Sequence, residues 1–240
     1  DVGIPIGIIW DADAVTKCQV WALDESTECC WGSEGHGNMF DGNKSSTYTG
    51  YSNYQTVCKS YKDLLTWTHN GYPSMWYYTA QKNSYAKNYY PDLGITWYIP
   101  AVGELGDFRE VYDVVENTIN KLPDSLPVPE LKYGDKSFIN TYHPEVSYTP
   151  NPLYNNSSTK GILYLTSSTF RDTSGHGIYW PVGYCNNGYP TSFYGDKTNH
   201  FDTTNKNSPI KGLIDTHSTF VRSSNYGHIA HTMGQVDLSK

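Results

Sequence analysis

Short runs of apolar residues at the start of the chain predict a β-hairpin. The runs at 3–10 and 18–23 flank a connector that is rich in Asp and Ala, which is the pattern of two strands joined by a turn. Apolar and polar residues alternate in the second run, so we expect it to form a strand with one buried face.

The clearest element is an amphipathic helix over 102–122. Its apolar residues recur every three or four positions and therefore lie on one stripe of the helix. They are Leu105, Phe108, Val111, Val115, Ile119 and Leu122. Acidic residues are frequent in the first turns, where the helix dipole favours negative charge. Pro123 is expected to end this helix, and residues 78–90 predict a second helix that ends at Pro91.

The remaining segments are loops and short strands. Residues 32–60 have turn chemistry and little periodicity, so we interpret them as a long loop. Residues 123–160 are rich in Pro, Asn, Ser and Tyr, and we interpret them as a long insertion in a single domain that spans 1–240. Strand character returns at 161–166, at 178–182 and weakly at 219–222, with a loop over 184–209. The predicted class is α+β, with a small mixed or antiparallel sheet, two helices and long loops.

Composition and charge narrow the class of protein. The chain is 38% hydrophobic but only 17% charged, so its solubility rests on Ser, Thr, Asn, Gly and Tyr, as in secreted or surface proteins. The net charge of -7 does not provide the basic surface that neutralises phosphates, and we expect no nucleic-acid partner. No apolar run reaches membrane-spanning length. We expect a mature or trimmed chain, extracellular or at the cell surface, whose targeting segment is missing.

Five cysteines are too few for a disulfide scaffold, and they lack the C-x-x-C spacing of zinc or redox sites. They are Cys18, Cys29, Cys30, Cys58 and Cys185. Because Cys29 and Cys30 are adjacent, a disulfide between them is strained, and each would need a distant partner. Buried thiols and distant disulfides both remain open from the sequence.

Several segments, in chain order, resemble a family of bacterial extracytoplasmic domains, the DUF1566 or Fibrobacter-succinogenes major paralogous domains, which have a C-type-lectin-like fold. Residues 6–10 and 20–25 are similar to the first hairpin of that family. Residues 97–105 resemble its W-Y-L-P-S-x-G-E-L helix entry, and 165–170 resemble its Y-W-S-S-T-x-Y strand. Residues 220–222 are similar to its closing V-R strand.

The match at 97–105 also has a physical interpretation of its own. Pro100 presets the backbone for helix entry, and Glu104 is expected to accept hydrogen bonds from free amides at the helix start, as a structural carboxylate. Two positions depart from the family pattern. Ala101 replaces the usual capping hydroxyl, and Leu165 stands where Trp is typical.

The resemblance implies a surface protein, typical of Bacteroidetes, whose C-terminal loops are displayed for recognition. The strongest binding candidate is the segment 180–194, with 225–226 on the same surface, because aromatic rings stack on ligand faces while Asn amides donate and accept. The predicted ligand-binding residues are Trp180, Tyr184, Asn186, Asn187, Tyr189, Phe193, Tyr194, Asn225 and Tyr226. The predicted function is non-catalytic ligand binding or adhesion to a host or bacterial surface glycan or protein, without a cofactor. The alternatives are a structural or pilin-like assembly module and, with less support, a carbohydrate-active enzyme.

Metal and catalytic patterns are weak. Asp196, Asn199 and Asp202 are better explained as turn residues than as calcium ligands. The pair His228 and His231 has the spacing of zinc ligands on a helix, but the Glu of an H-E-x-x-H protease is absent. The carboxylates at 11 and 13 are better explained by a turn at the end of a strand than by catalysis. We therefore expect no metal and no catalytic residue.

Overall fold

In the computed structural model the described residues are 5–13, 17–32, 49–119, 121–122, 163–171, 179–185, 218–220 and 228–238. They form a mixed α and β structure. The helices are α1 (Gly50–Ser60), α2 (Met75–Tyr89), α3 (Val102–Glu110) and α4 (Tyr112–Ile119), with 3-10 turns at Lys62–Leu65 and Pro91–Leu93. The strands are β1 (Gly7–Asp13), β2 (Lys17–Cys29), β3 (Thr68–His69), β4 (Tyr72–Pro73), β5 (Ile95–Tyr98), β6 (Leu163–Arg171), β7 (Tyr179–Cys185), β8 (Ser218–Phe220) and β9 (His228–Asp237).

Seven of these strands form one sheet in the order β1-β2-β9-β6-β7-β8, and β5 also pairs with β9. The pairs are antiparallel except for a parallel bridge between Tyr164 of β6 and Ile229 of β9. The N-terminal hairpin is confirmed, because Gly7 is opposite Ala22 and Asp13 is opposite Lys17. β2, near the start of the described chain, pairs with β9, near its end, so strands from the two ends lie side by side. The α+β class is consistent with this arrangement.

Strand β2 is buried on both faces, so the prediction of one buried face is wrong. Val20 and Ala22 pack in a cluster with Ala86 of α2 and with Trp97 of β5. Trp21 belongs to the larger cluster on the opposite face. The two faces are both covered because α2 packs over one and α3 with α4 packs over the other. A strand with helices over both faces is apolar without alternation.

The predicted amphipathic segment docks on the sheet through its apolar stripe. The ring of Phe108 stacks on Trp21 at 3.8 Å between centroids and meets Trp10 edge-on at 5.4 Å. Val115 and Ile119 are also buried in this cluster. The helix is broken in two at Val111, whose amide donates to the carbonyl of Phe108. The prediction of one continuous helix is therefore wrong, but its apolar stripe is confirmed.

The loop predicted over 32–60 is wrong for its second half, because residues 50–60 form α1. Its buried residues are Gly50, Asn53, Tyr54 and Val57, which lie on one face at helical spacing. The second predicted helix is confirmed as α2, which starts where Ser74 accepts a hydrogen bond from the amide of Tyr77. With α1, and with the predicted helix split into α3 and α4, the described chain has four α-helices instead of two.

The strands of the C-terminal half also differ from the sequence prediction. The strand that closes the sheet beside β2 is β9, whereas the resemblance placed the closing strand at 220–222. Of that segment, Phe220 ends β8, which pairs with β7 farther along the sheet. The strands predicted at 161–166 and 178–182 are confirmed in outline as β6 and β7. The predicted insertion at 123–160 lies outside the described residues.

Burial favours the protonated thiol at Cys18 and Cys30. Burial raises the pKa of Cys30 to about 12, against the opposing effect of its backbone hydrogen bond. Burial also raises the pKa of Cys18. The sulfur of Cys30 donates to the carbonyl of Pro73 at 3.4 Å, which supports the interpretation of this cysteine as a buried thiol.

Candidate functional site

Five described strands have ends that lie next to one another at one end of the sheet. Cys29 of β2 is opposite His228 of β9, and the next residue of β9 pairs with β6. Leu163 of β6 is opposite Cys185 of β7. Tyr184, the residue before Cys185, pairs with Ser218 of β8. We call this row of strand ends the connection end of the sheet. Segment 123–162 enters the sheet there at β6, segment 221–227 enters it there at β9, and segment 186–217 connects β7 to β8 there. Segment 33–48 begins shortly beyond the end of β2.

Some of the predicted ligand-binding residues belong to a strand of the sheet, and the others belong to chain segments that attach at the connection end. Trp180 and Tyr184 lie within β7. Trp180 belongs to the predicted strand, whereas the loop predicted from 184 onward is wrong for Tyr184. They occupy the register positions opposite Phe170 and Tyr164 of β6. The strand continues to Cys185 because its backbone is paired on both sides, with β6 and with β8.

The other predicted ligand-binding residues lie outside the described residues. They are Asn186, Asn187, Tyr189, Phe193, Tyr194, Asn225 and Tyr226. Their points of attachment are nevertheless defined, because 186 follows the last residue of β7 and 226 precedes the first residue of β9 by two positions. Topology thus brings the two predicted binding segments to the connection end.

A buried polar network holds the start of β6 beneath this end. The segment Thr166–Thr169 is buried, and three hydrogen bonds join it to other elements. The indole of Trp31 donates to the carbonyl of Thr166 at 2.8 Å, and the amide nitrogen of Asn53 donates to the hydroxyl of Ser167 at 2.9 Å. The backbone amide of Ser167 donates to the carbonyl of Pro100 at 2.9 Å. The segment 165–170 and the segment 97–105, which carry the resemblance, are therefore in direct contact.

Glu104 joins two helix starts in the same region, and its predicted capping role is confirmed. One carboxylate oxygen accepts from the amide of Ala101 at 2.7 Å and from the amide of Gly50 at 3.0 Å. The other oxygen accepts from the hydroxyl of Tyr98 at 3.4 Å. Because Ala101 has no side-chain hydroxyl, the carboxylate three residues later supplies the cap of α3 and also that of α1.

Burial dominates the electrostatics of Glu104. It raises the pKa of the carboxyl from 4.5 to about 7, against the opposing effect of the two backbone amides and of Tyr98. The pKa of the Tyr98 hydroxyl is also raised well above its usual value, by burial and by the neighbouring Glu104. A carboxyl that titrates near neutrality is frequent in active sites, but here its hydrogen bonds connect backbone segments, so its role is structural.

A second buried charged group was not predicted from the sequence. Lys82 of α2 donates to the carboxylate of Asp24 on β2, and their side chains are 1% and 4% exposed. The hydroxyl of Tyr78 donates to the other carboxylate oxygen at 3.1 Å. The ammonium also lies 4.2 Å from the ring centroid of Trp97. Desolvation lowers the pKa of Lys82, and the charge of Asp24 opposes this shift.

His231 is a core residue of β9, and the zinc-ligand spacing assumed for a helix is wrong. The helical spacing does not apply because both residues belong to a strand. The imidazole of His231 stacks on Trp21 at 3.7 Å. Burial lowers its pKa well below the usual range, and the charge of Lys82 acts in the same direction. The ring is therefore neutral at physiological pH.

Of the other predicted chemical patterns, Asp196, Asn199 and Asp202 lie outside the described residues. Asp11 and Asp13 belong to β1, where they pair in register with Gln19 and Lys17. Within the described ranges no three His, Cys, Asp or Glu side chains lie close enough to hold a metal ion. None of the described helices is long and apolar enough to cross a membrane.

Comparisons of this chain with protein-family models, with curated proteins and with solved structures give no match. The geometry of the described residues is therefore the basis for assigning a function.

Proposed function

We propose that this chain is an extracellular, non-catalytic ligand-binding or adhesion module with a C-type-lectin-like fold. It recognises a glycan or a protein of a host or bacterial surface through the aromatic and Asn-rich segments at 180–194 and 225–226. The observation that carries the proposal is the connection end of the sheet, where one segment leaves β7 and the other enters β9, with only β6 between these two strands.

Topology supports recognition at this end. Functional residues are concentrated in long connections held by a rigid scaffold, and the scaffold here is a sheet with helices over both faces. The network around Thr166 and Ser167 fixes the start of β6 through Trp31 and Asn53. The segments that join there are thus held on an ordered base.

The chemistry of the segments favours a neutral polar ligand. Between Cys185 and Ser218 the chain contains Tyr189, Phe193 and Tyr194, interspersed with Asn, Thr and Gly. Aromatic rings give large contact area at low entropic cost, and amides provide one donor group and one acceptor group each. The net charge of -7 is unfavourable for a polyanionic ligand.

A glycan array and a panel of extracellular-matrix proteins test the proposal. We compare the wild-type chain with Tyr189→Ala and with a matched control, Tyr89→Ala. Tyr89 is 70% exposed on α2 and lies outside both proposed segments. Wild type and Tyr89→Ala should bind the same ligand, whereas Tyr189→Ala should bind at least tenfold more weakly, since a central aromatic contributes about 2 kcal/mol at a binding surface. Absence of binding by the wild type, or equal binding by all three proteins, would contradict the proposal.

A structural or pilin-like assembly module is the second candidate, and strand β1 favours it. β1 lies at the edge of the sheet among the described strands, and its Ile9 is 61% exposed. An exposed apolar edge strand is a template for pairing with another chain. Sedimentation of the wild type and of Ile9→Lys separates the candidates, because concentration-dependent association that Ile9→Lys abolishes would favour assembly.

A further inference from the structure

Asp24 and Lys82 lie in the apolar layer between β2 and α2, and the ammonium of Lys82 contacts the carboxylate of Asp24. Lys82 donates to one oxygen of the Asp24 carboxylate, while Tyr78 donates to the other at 3.1 Å. Both side chains are at least nine-tenths buried. The apolar cluster that contains Val20, Ala22, Ala86 and Trp97 lies on the same face of the sheet.

We propose that Asp24 and Lys82 form an intramolecular isopeptide bond between Cγ of the aspartate and Nζ of the lysine, with release of one water molecule. This modification links β2 to α2. It goes beyond the proposed function and does not depend on it, because the bond lies in the core and far in sequence from the proposed binding segments.

Burial changes the relative stability of the ion pair and the amide. In water an amine and a carboxylic acid remain apart mainly because both ionise and are well hydrated. Here each charge loses its hydration, which costs several kcal/mol per ion even when the ions are paired. An amide carries no net charge and is less costly to bury. The same desolvation lowers the pKa of Lys82, which increases the fraction of the neutral, nucleophilic amine.

The reaction is balanced by groups that are present. A proton moves from the ammonium of Lys82 to the carboxylate of Asp24, which leaves a neutral amine beside a neutral carboxylic acid. The nitrogen lone pair attacks Cγ, and the hydroxyl of Tyr78 hydrogen-bonds to the oxygen on which negative charge develops. The second amine proton is transferred to the leaving hydroxyl. The C–O bond breaks, water departs, and a secondary amide remains, without any oxidant or co-reactant.

The positions of the two reacting groups favour amide formation, and the exclusion of water opposes hydrolysis of the amide. The ring of Trp97 lies 4.2 Å from Nζ and holds the amine against the carboxyl group. Well-oriented reacting groups held in contact can reach effective concentrations of about 10⁵ M. Because the side chains are almost completely buried, bulk water has little access to hydrolyse the product.

Intact-mass spectrometry of the folded wild-type chain tests the proposal. Its mass should be lower than that of the sequence by one water molecule. Trypsin should then release a branched peptide in which 18–44 is joined to 63–87, since an acylated Lys82 is not cleaved. Asp24→Ala and Lys82→Arg should have their full sequence mass. Asp24→Asn should instead lose ammonia, because a carboxamide has a different leaving group.

Three results would overturn the proposal without requiring any variant to fold. One is a wild-type chain that keeps its full mass after long incubation in the folded state. Another is cleavage after Lys82 in an ordinary linear peptide. The third is a loss of water that maps to Asp41-Gly42 and is reversed at mildly alkaline pH, since that sequence can form a succinimide with the same mass change, whereas an isopeptide bond is stable there.

Discussion

Substitution of Glu104 by Gln should remove a pH dependence of stability. The carboxyl is buried and accepts hydrogen bonds from the amides of Ala101 and Gly50. Its pKa is about 7 in the folded chain, against the ordinary value of 4.5. Since one pKa unit corresponds to about 1.4 kcal/mol, the difference amounts to roughly 3 kcal/mol.

The sign follows from the raised pKa. The folded state binds the proton more tightly than the unfolded state, so this stabilisation is complete below pH 4.5 and is lost as the pH rises through about 7. Glutamine keeps a carbonyl acceptor for the two amides but cannot ionise. From pH 4.5 to 8, wild type should therefore lose roughly 3 kcal/mol of unfolding free energy relative to Glu104→Gln.

Urea unfolding of both proteins at a series of pH values measures this difference. His231 has a lowered pKa and is expected to act in the opposite direction, because its contribution is lost as the pH falls. Its contribution is common to both proteins and cancels in the comparison. Parallel stability curves for wild type and Glu104→Gln would refute the reasoning.

Two further substitutions test how the helices dock on the sheet, with urea unfolding as the measurement. Phe108→Ala removes the ring stacked in the core and should cost about 4 kcal/mol, whereas Val114→Ala, at a residue that is 68% exposed, should cost less than about 0.5 kcal/mol. Asn83→Ala removes two hydrogen bonds to the backbone of Trp97, at 2.8 and 2.7 Å, and should cost about 2 kcal/mol, whereas the exposed Ser84→Ala should be nearly neutral. Equal stability within either matched pair would contradict the docking described.

The sequence predicts best the elements whose burial is made by aliphatic and aromatic residues. The stripe from Leu105 to Ile119 was identified because its spacing is helical and its residues are apolar. The break at Val111 was not predicted, because a tight turn preserves the spacing of three or four positions. The closeness of 97–105 to 165–170 was not predicted either, since it follows from the pairing of β5 and β6 with the same strand, β9, together with the backbone hydrogen bond from Ser167 to Pro100.

The elements that the sequence did not predict, α1 and β9, have buried faces that include polar or small residues. In α1 the buried positions include Gly50 and Asn53, and in β9 they include His231 and Thr232. Such residues give no hydrophobic period, although Asn53 is hydrogen-bonded to Ser167 in the fold. From composition alone, segments rich in such polar residues are predicted to be loops.

The buried charged pair could not be found from the sequence for a different reason. Asp24 and Lys82 are far apart in the chain, and each alone is typical of a solvent-exposed position. Only the docking of α2 on β2 brings them together. In the candidate binding site, the sequence indicated the residue types, whereas the common end of the sheet at which their segments attach depends on the strand order.

The most direct test of the binding surface is to remove it without disturbing the sheet. Tyr184 and Ser218 are paired across β7 and β8, so their register suits a connection of one residue on each side of a two-residue turn. Replacement of 186–216 by Asn-Gly should therefore close a hairpin and keep the near-ultraviolet circular dichroism of the aromatic core. We expect this protein to fold and to lose binding to the ligand that the wild type retains on the array. A folded replacement protein that binds that ligand with wild-type affinity would contradict the proposed function.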